Sequence, residues 1–286
     1  MNLLRSVDLL LSLQSISSPL LDRVMQGISF LGDGLFYLAL LVFLYWRVSR
    51  KLAIRLATAT LLSLYVNFLL KDFFAIPRPA GTGLRILEET IDFSFPSGHA
   101  QSVTSCFFFL AFYLRKTSLF ILAGVLVFLV SFSRLYLGVH YLGDVLGGIA
   151  LGFAFALGFW VFFKNCSLKF PSPLFGLLLI IPVSYALFFF ASSHLGFVVA
   201  GALSGALVGY LLSLWIGLEE KTLRTTTYLL GIGGLIALYL GGKSVDLPSN
   251  LWLFFRYFLL TIFATFIFPL LASFREKQIS KRMGVT

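Results

Sequence analysis

The chain has 286 residues, is 59% hydrophobic and 12% charged, and carries a net charge of +10. A soluble domain usually has about twice that charged fraction. The apolar residues also run on without interruption, as in Leu119–Val130 and Leu146–Phe163, so a soluble globular fold is excluded. Nor does the positive charge argue for nucleic acid: Lys and Arg punctuate apolar runs here, as they do in the cytoplasmic loops of membrane proteins.

In chain order, Met1–Leu13 lacks a basic region followed by an apolar core and a small-residue cleavage site, so no cleavable signal peptide is expected. Leu3, Leu4, Val7, Leu10 and Leu11 share one helical face, as do Leu20, Leu21, Val24, Met25 and Ile28. Separated by the break at Ser17–Pro19, they predict two short interfacial helices lying on the membrane. Nine apolar spans follow, near 29–47, 53–70, 99–115, 118–133, 140–163, 173–191, 196–217, 225–241 and 251–273. The fourth is short and extends toward Leu137. The expected fold class is therefore all-α, a polytopic membrane helix bundle of about nine transmembrane helices plus the interfacial pair. Cys106 lies in an apolar run and Cys166 in a basic loop, which gives no disulfide framework.

Placing the first inter-span loop in the cytoplasm puts 14 of the 22 Lys and Arg on that side. These are Arg47, Arg50, Lys51, Arg55, Arg115, Lys116, Lys164, Lys169, Lys221, Arg224, Arg275, Lys277, Lys281 and Arg282. The bias predicts an outside N-terminus and a cytoplasmic C-terminus. Lys71, Arg78 and Arg134 then lie outside, where topology does not explain them.

Chemistry does. Three segments put ionisable residues at the outer ends of spans: Lys71 with Arg78-Pro79, Pro96-Ser97-Gly98-His99, and Ser133-Arg134 with His140 and Asp144. The three cations suit a phosphate and the charge on its equatorial oxygens in a transition state. Arg offers a two-toothed fork and Lys a point charge. Ser97 adds a hydroxyl, and Gly98 lets backbone approach an oxyanion at a helix N-terminus. His140 and Asp144, four apart, would stack on one helix face. There the carboxylate holds the imidazole tautomer while the ring attacks phosphorus. His99, on another span, is placed to protonate the leaving oxygen. Each residue alone has a bland reading, as a snorkelling cation, a helix-end histidine or a structural hydrogen bond. Their joint spacing on one face favours chemistry. The acidic run Glu88, Glu89 and Asp92 reads first as a solvated loop and second as a lid over a headgroup.

The three motifs resemble the type 2 phosphatidic acid phosphatase superfamily over roughly residues 29–163. The resemblance implies a phosphohistidine on His140, orientation by Asp144 and acid–base work by His99. It also implies phosphate contacts from Lys71, Arg78, Ser97, Gly98, Ser133 and Arg134, and chemistry without a metal or other cofactor; no His or Cys cluster has ligand spacing. The chain then divides into a catalytic membrane domain at 1–165 and a four-helix extension at 166–286.

In that extension Gly201, Gly205 and Gly209 form a small-residue face, for internal packing first and a homodimer second. Arg256, inside a span, is harder to dismiss as a solvated loop residue than His194 or Lys243. The expected activity is a lipid phosphate or pyrophosphate phosphatase of a bacterial inner membrane, acting on the extracytoplasmic face. Phosphatidylglycerophosphate, undecaprenyl pyrophosphate and phosphatidic acid are candidate substrates. Lipid-to-lipid phosphotransfer and lipid transport on the same fold are the alternatives. Expected partners are the lipid phosphate, membrane lipids and a second copy of the chain, with no nucleic acid.

Overall fold

A computed structural model describes residues 3–166, 172–220, 223–245, 247 and 249–282, with side chains to residue 275. Lys169 and Lys221, counted above for topology, lie outside the described residues, as do the side chains of Lys277, Lys281 and Arg282. Among the described residues all regular structure is helical.

The helices are α1 (Val7–Gln14), α2 (Pro19–Ser29), α3 (Gly34–Arg47), α4 (Arg50–Phe74), α5 (Gly98–Leu114), α6 (Thr117–Tyr136), α7 (Leu142–Asn165), α8 (Pro173–Phe190), α9 (His194–Trp215), α10 (Thr225–Ser244), α11 (Asn250–Ile262) and α12 (Phe268–Arg282). A π turn, Phe263–Ile267, joins the last two. Serine starts several of them: Ser18, Ser172, Ser193 and Ser249 each accept a backbone N–H of the following first turn, satisfying a donor that a helix start leaves open.

Among the described residues seven helical segments are long and apolar enough to cross a bilayer: α4, α6, α7, α8, α9, α10 and Asn250–Arg275. The chain is a multi-pass integral membrane protein. Two expected spans come out differently. The first is bent: Pro19–Gly32 and Gly34–Arg47 meet at 51°, and together they would make an eighth span. The third, α5, has 17 residues, about 26 Å of helix.

The described chain forms two compact units, Met1–Ala39 with Ala59–Ser167, and Leu40–Thr58 with Leu168–Thr286. In the first, α5 packs along α7 and α6. A Cβ at Gly148 or Gly152 of α7 would run into the backbone oxygen of Ser97 or Gln101, so glycine is what lets α7 lie against α5 at this spacing. The N-terminal helices dock on this unit instead of resting only on lipid. Leu10 is fully buried with Ala100, Leu135 and Val145, while Leu21 and Met25 pack on Tyr136, Leu137 and Val139.

In the second unit, Arg50 shows why residues 40–58 belong there: its backbone N–H donates to Glu220 at 2.6 Å and its guanidinium to the Leu218 carbonyl at 2.9 Å. Trp46 Nε1 donates to the Ala264 carbonyl at 2.7 Å. The Gly201–Gly205–Gly209 face is spent inside the chain, against Phe254, Phe258 and Thr265. Cys106 is buried and Cys166 exposed, both as free thiols.

Candidate active site

Four helix ends of the first unit meet at one pole of the bundle. α4 ends there at Phe74 and α5 begins with Ser97 as its N-cap; α6 ends at Tyr136 and α7 begins at Leu142. Lys71, Arg78, Ser97, His99, Arg134, His140 and Asp144 all lie on or beside these helix ends, and polar contacts link several of them through the loop before α5.

Lys71 sits in the last turn of α4, almost wholly buried. Ala75 then takes a left-handed conformation (φ 46°), one residue after α4 ends. Arg78 reaches the histidine segment: its Nη1 donates to the Val139 carbonyl at 2.7 Å and lies 3.2 Å from His140 Nε2.

The segment carrying His140 is set by Gly138, whose φ of 74° ends α6. Its N–H returns to the Leu135 carbonyl at 3.1 Å, a helix stop that only glycine makes without strain. His140 therefore precedes α7 and is not part of it. This corrects the expectation that His140 and Asp144 stack on one helix. Asp144 is in the first turn, and its Oδ2 accepts the Tyr141 N–H at 2.8 Å and the Ser94 hydroxyl. His140 Nδ1 still faces Asp144 Oδ2, at 3.6 Å, which is too long for a hydrogen bond, and Nδ1 is buried without a partner. Because Nε2 receives an Arg78 N–H, the hydrogen belongs on Nδ1, pointing at the carboxylate.

Burial first, and then the charges of Arg78, Arg134 and Lys71, hold the His140 imidazole well below its ordinary pKa. The ring is thereby held in its neutral form, with the Nε2 lone pair turned toward Arg78.

Ser97 Oγ is buried and unpaired, while its N–H donates to the Asp144 carbonyl at 2.9 Å. Gly98 lies close to Asn67, whose Oδ1 would be 3.3 Å from an added Cβ. His99 packs on Gly32, where an added Cβ would come within 2.7 Å of the imidazole Cδ2. Arg134, 1% exposed, donates from Nη1 to the Ser29 hydroxyl and, at 2.6 Å, to Glu88. Ser133 behaves differently: its hydroxyl donates at 2.7 Å to the Val130 carbonyl of its own helix.

The acidic loop is neither plainly solvated nor an open lid. Asp92 pairs with Lys71 at 2.9 Å and with Arg78, while Glu88 pairs with Arg134. Burial alone would raise the Asp92 pKa, but the two cations outweigh it and hold the carboxyl below its usual range. All three cations thus already face carboxylates.

Sequence reasoning missed a second group. Asn67 Nδ2 donates to the Pro96 carbonyl at 3.2 Å and to Gln101 Oε1 at 2.8 Å, and Gln101 donates to the Ser63 carbonyl at 2.8 Å and its hydroxyl at 3.0 Å. This fully buried chain ties α4 to the turn before α5. Its signal was available: amides inside apolar spans are expensive unless they have work to do. Ser29, Gly32 and Ser94 carried no such signal. Among the described residues no group of three His, Cys, Asp or Glu converges as a metal site requires.

The family model described as "PAP2 superfamily" matches residues 52–168, and one described as "PAP2 superfamily phosphatase, transmembrane extension" matches residues 197–277. The chain is similar to phosphatidylglycerophosphatase B of Bacillus subtilis (strain 168), 36% identical over 152 residues that cover 48% of this chain and 72% of that protein. It is also similar to sphingosine-1-phosphate phosphatase 2 of Mus musculus, 34% identical over 160 residues, covering 53% of this chain and 45% of that protein. A crystal structure of a PAP2-type phosphatidylglycerolphosphate phosphatase from Bacillus subtilis superposes with a TM-score of 0.51 at 29% identity, covering 57% of this chain and 86% of that one.

Proposed function

This chain belongs to the PAP2 superfamily and is a membrane phosphatase of that type, and on that premise we propose that it hydrolyses a lipid phosphate or pyrophosphate through a phosphohistidine on His140, at the extracytoplasmic face. The observation that carries the reading is the convergence of Lys71, Arg78, Arg134, Ser97, His99, His140 and Asp144 on one end of α4–α7.

The substrate phosphate replaces Asp92 and Glu88 on the three cations, with Ser97 Oγ adding a donor. His140 Nε2 attacks phosphorus as the bond to the lipid oxygen breaks, and His99, which takes up a proton as the anionic phosphate enters, delivers it to that oxygen. The Nδ1–H closes on Asp144, which stabilises the imidazolium charge. Water then attacks phosphorus, His99 takes its proton, and the phosphorus–nitrogen bond breaks to release phosphate. The cations supply the positive charge, so no metal is required. Phosphatidylglycerophosphate leads the candidate substrates because the Bacillus subtilis relative is named for it; undecaprenyl pyrophosphate and phosphatidic acid follow.

Phosphate release from these purified lipids in detergent, with and without EDTA, tests the activity. Turnover that survives the chelator, with an acid-labile phosphoprotein trapped in the native chain and absent from His140→Ala, is expected. EDTA-sensitive turnover restored by Mg²⁺ counts against it.

Sidedness is tested separately, in a chain lacking Cys106 and Cys166. Glu88 pairs with Arg134, so a labelling cysteine belongs at the exposed Glu89 and its counterpart at the exposed Lys116. A membrane-impermeant maleimide should label Glu89→Cys in intact cells and Lys116→Cys only after lysis. The reverse pattern puts the site in the cytoplasm.

A further inference from the structure

Within the second unit, α10 and α11 enclose a cavity of about 230 Å³ whose walls include Leu238, Tyr239, Gly242, Trp252, Arg256 and Tyr257. None of these residues belongs to the catalytic cluster. Arg256 is the only cation among its described lining residues. The guanidinium carbon lies 5.1 Å from the Tyr239 ring centroid and 5.6 Å from that of Tyr257, so two aromatic faces hold the fork. One donor, Nη2, reaches the Tyr239 carbonyl at 3.0 Å.

Two further donors are unspent. Arg256 Nε is buried without a partner, and so is Trp252 Nε1. Trp252 and Arg256 are four apart on α11, so both point from one face. Among the described residues no carboxylate pairs with Arg256. A guanidinium cannot shed its charge, and an unpaired charge inside a span is costly, which makes such a residue a binding-site candidate. The ligand that fits is an anion whose oxygens accept from both donors. The surrounding wall is apolar, and Leu238 and Leu259 stand exposed beside it, at 44% and 52%. Such a wall suits hydrocarbon better than the hydration shell of a free ion.

We propose that this cavity binds the phosphate of an anionic phospholipid, with Arg256 Nε and Trp252 Nε1 as donors to its oxygens and an acyl chain along Leu238 and Leu259. The same chemistry could be met by inorganic phosphate, so both are probed. Gly242 lines the cavity as well. A Cβ there would lie 3.0 Å from Arg256 Nε, so Gly242→Ala crowds the proposed donor without touching the charge.

Native mass spectrometry of the full chain in detergent, with phosphatidylglycerol, phosphatidylcholine or inorganic phosphate added, tests the site. The native chain should retain one phosphatidylglycerol with about 10-fold preference over phosphatidylcholine. Arg256→Gln should lose that preference, Gly242→Ala should weaken it, and millimolar phosphate should not displace the lipid. Melting temperature serves as the fold control. A folded Arg256→Gln chain that binds phosphatidylglycerol as the native chain does overturns the proposal, and so does displacement by phosphate. Should Arg256→Gln fail to fold, unchanged binding in Gly242→Ala overturns it instead.

Discussion

Asp92 Oδ2 lies 2.9 Å from Lys71 Nζ, and the other oxygen of the same carboxylate bonds Arg78. One acidic side chain therefore occupies two of the three cations proposed to hold the phosphate. With Glu88 on Arg134, carboxylates of one loop face all three of those cations.

On the proposed mechanism Asp92 competes with the product. Removing its charge in Asp92→Asn should strengthen inhibition by inorganic phosphate, lowering its Ki by roughly 3- to 10-fold, equivalent to about 0.7–1.4 kcal/mol. It should also lower thermal stability, since buried Lys71 and half-buried Arg78 lose their partner. Steady-state inhibition and a melting curve on the same preparation measure both. A raised Ki would show that Asp92 organises the cations more than it blocks them.

Ser94 shares Asp144 Oδ2 with the Tyr141 N–H and so holds the carboxylate that faces His140 Nδ1. Ser94→Ala should reduce kcat by about 10-fold with KM nearly unchanged, because the carboxylate matters once the imidazolium forms. Asp144→Asn should cost more, on the order of 10³- to 10⁴-fold, by analogy with removal of an orienting carboxylate elsewhere. Equal changes in KM and kcat for Ser94→Ala would mark it as a packing residue.

His99 depends on Gly32. An added methyl at Gly32 would sit 2.7 Å from the His99 ring, displacing the group assigned to the leaving oxygen. Gly32→Ala should therefore mimic His99→Ala, with a loss of about 100-fold on a lipid alkoxide leaving group and much less on p-nitrophenyl phosphate. A uniform loss on both substrates would tie Gly32 to folding instead.

Stability should follow pH in a direction set by His140. Its folded pKa lies well below the ordinary value near 6.5, so between the two the unfolded chain binds the extra proton. Stability then rises with pH in that window and falls on acidification below 6.5, by up to about 1.4 kcal/mol per pH unit for one proton. Melting temperatures of the native chain and of His140→Gln from pH 7.5 to 5 measure the contribution, and the variant should show the shallower acid limb.

Much of this was legible from residues alone. Long apolar runs specify spans because a bilayer leaves the backbone no other way to satisfy its hydrogen bonds, and a lone charge at a span end stands out against that background. Lys71, Arg78, Arg134, His99, His140 and Asp144 were therefore visible without coordinates. Gly201, Gly205 and Gly209 were visible too, as a small-residue face, but only packing decided that the face meets Phe254 and Phe258 of the same chain.

What stayed hidden depended on contacts between distant segments. No local pattern links Ser29 to Arg134, Ser94 to Asp144 or Gly32 to His99, since serine and glycine are unremarkable in membrane helices. The acidic loop misled for a related reason: Glu88 and Asp92 look solvated in sequence, and only the fold of residues 75–95 over α4 and α6 carries them onto buried cations. Likewise, the spacing of His140 and Asp144 suggested one helix, whereas the positive φ at Gly138 leaves His140 in the turn ahead of α7. Sequence determines which residues are costly to bury in a membrane; the tertiary structure decides which partner makes each burial tolerable.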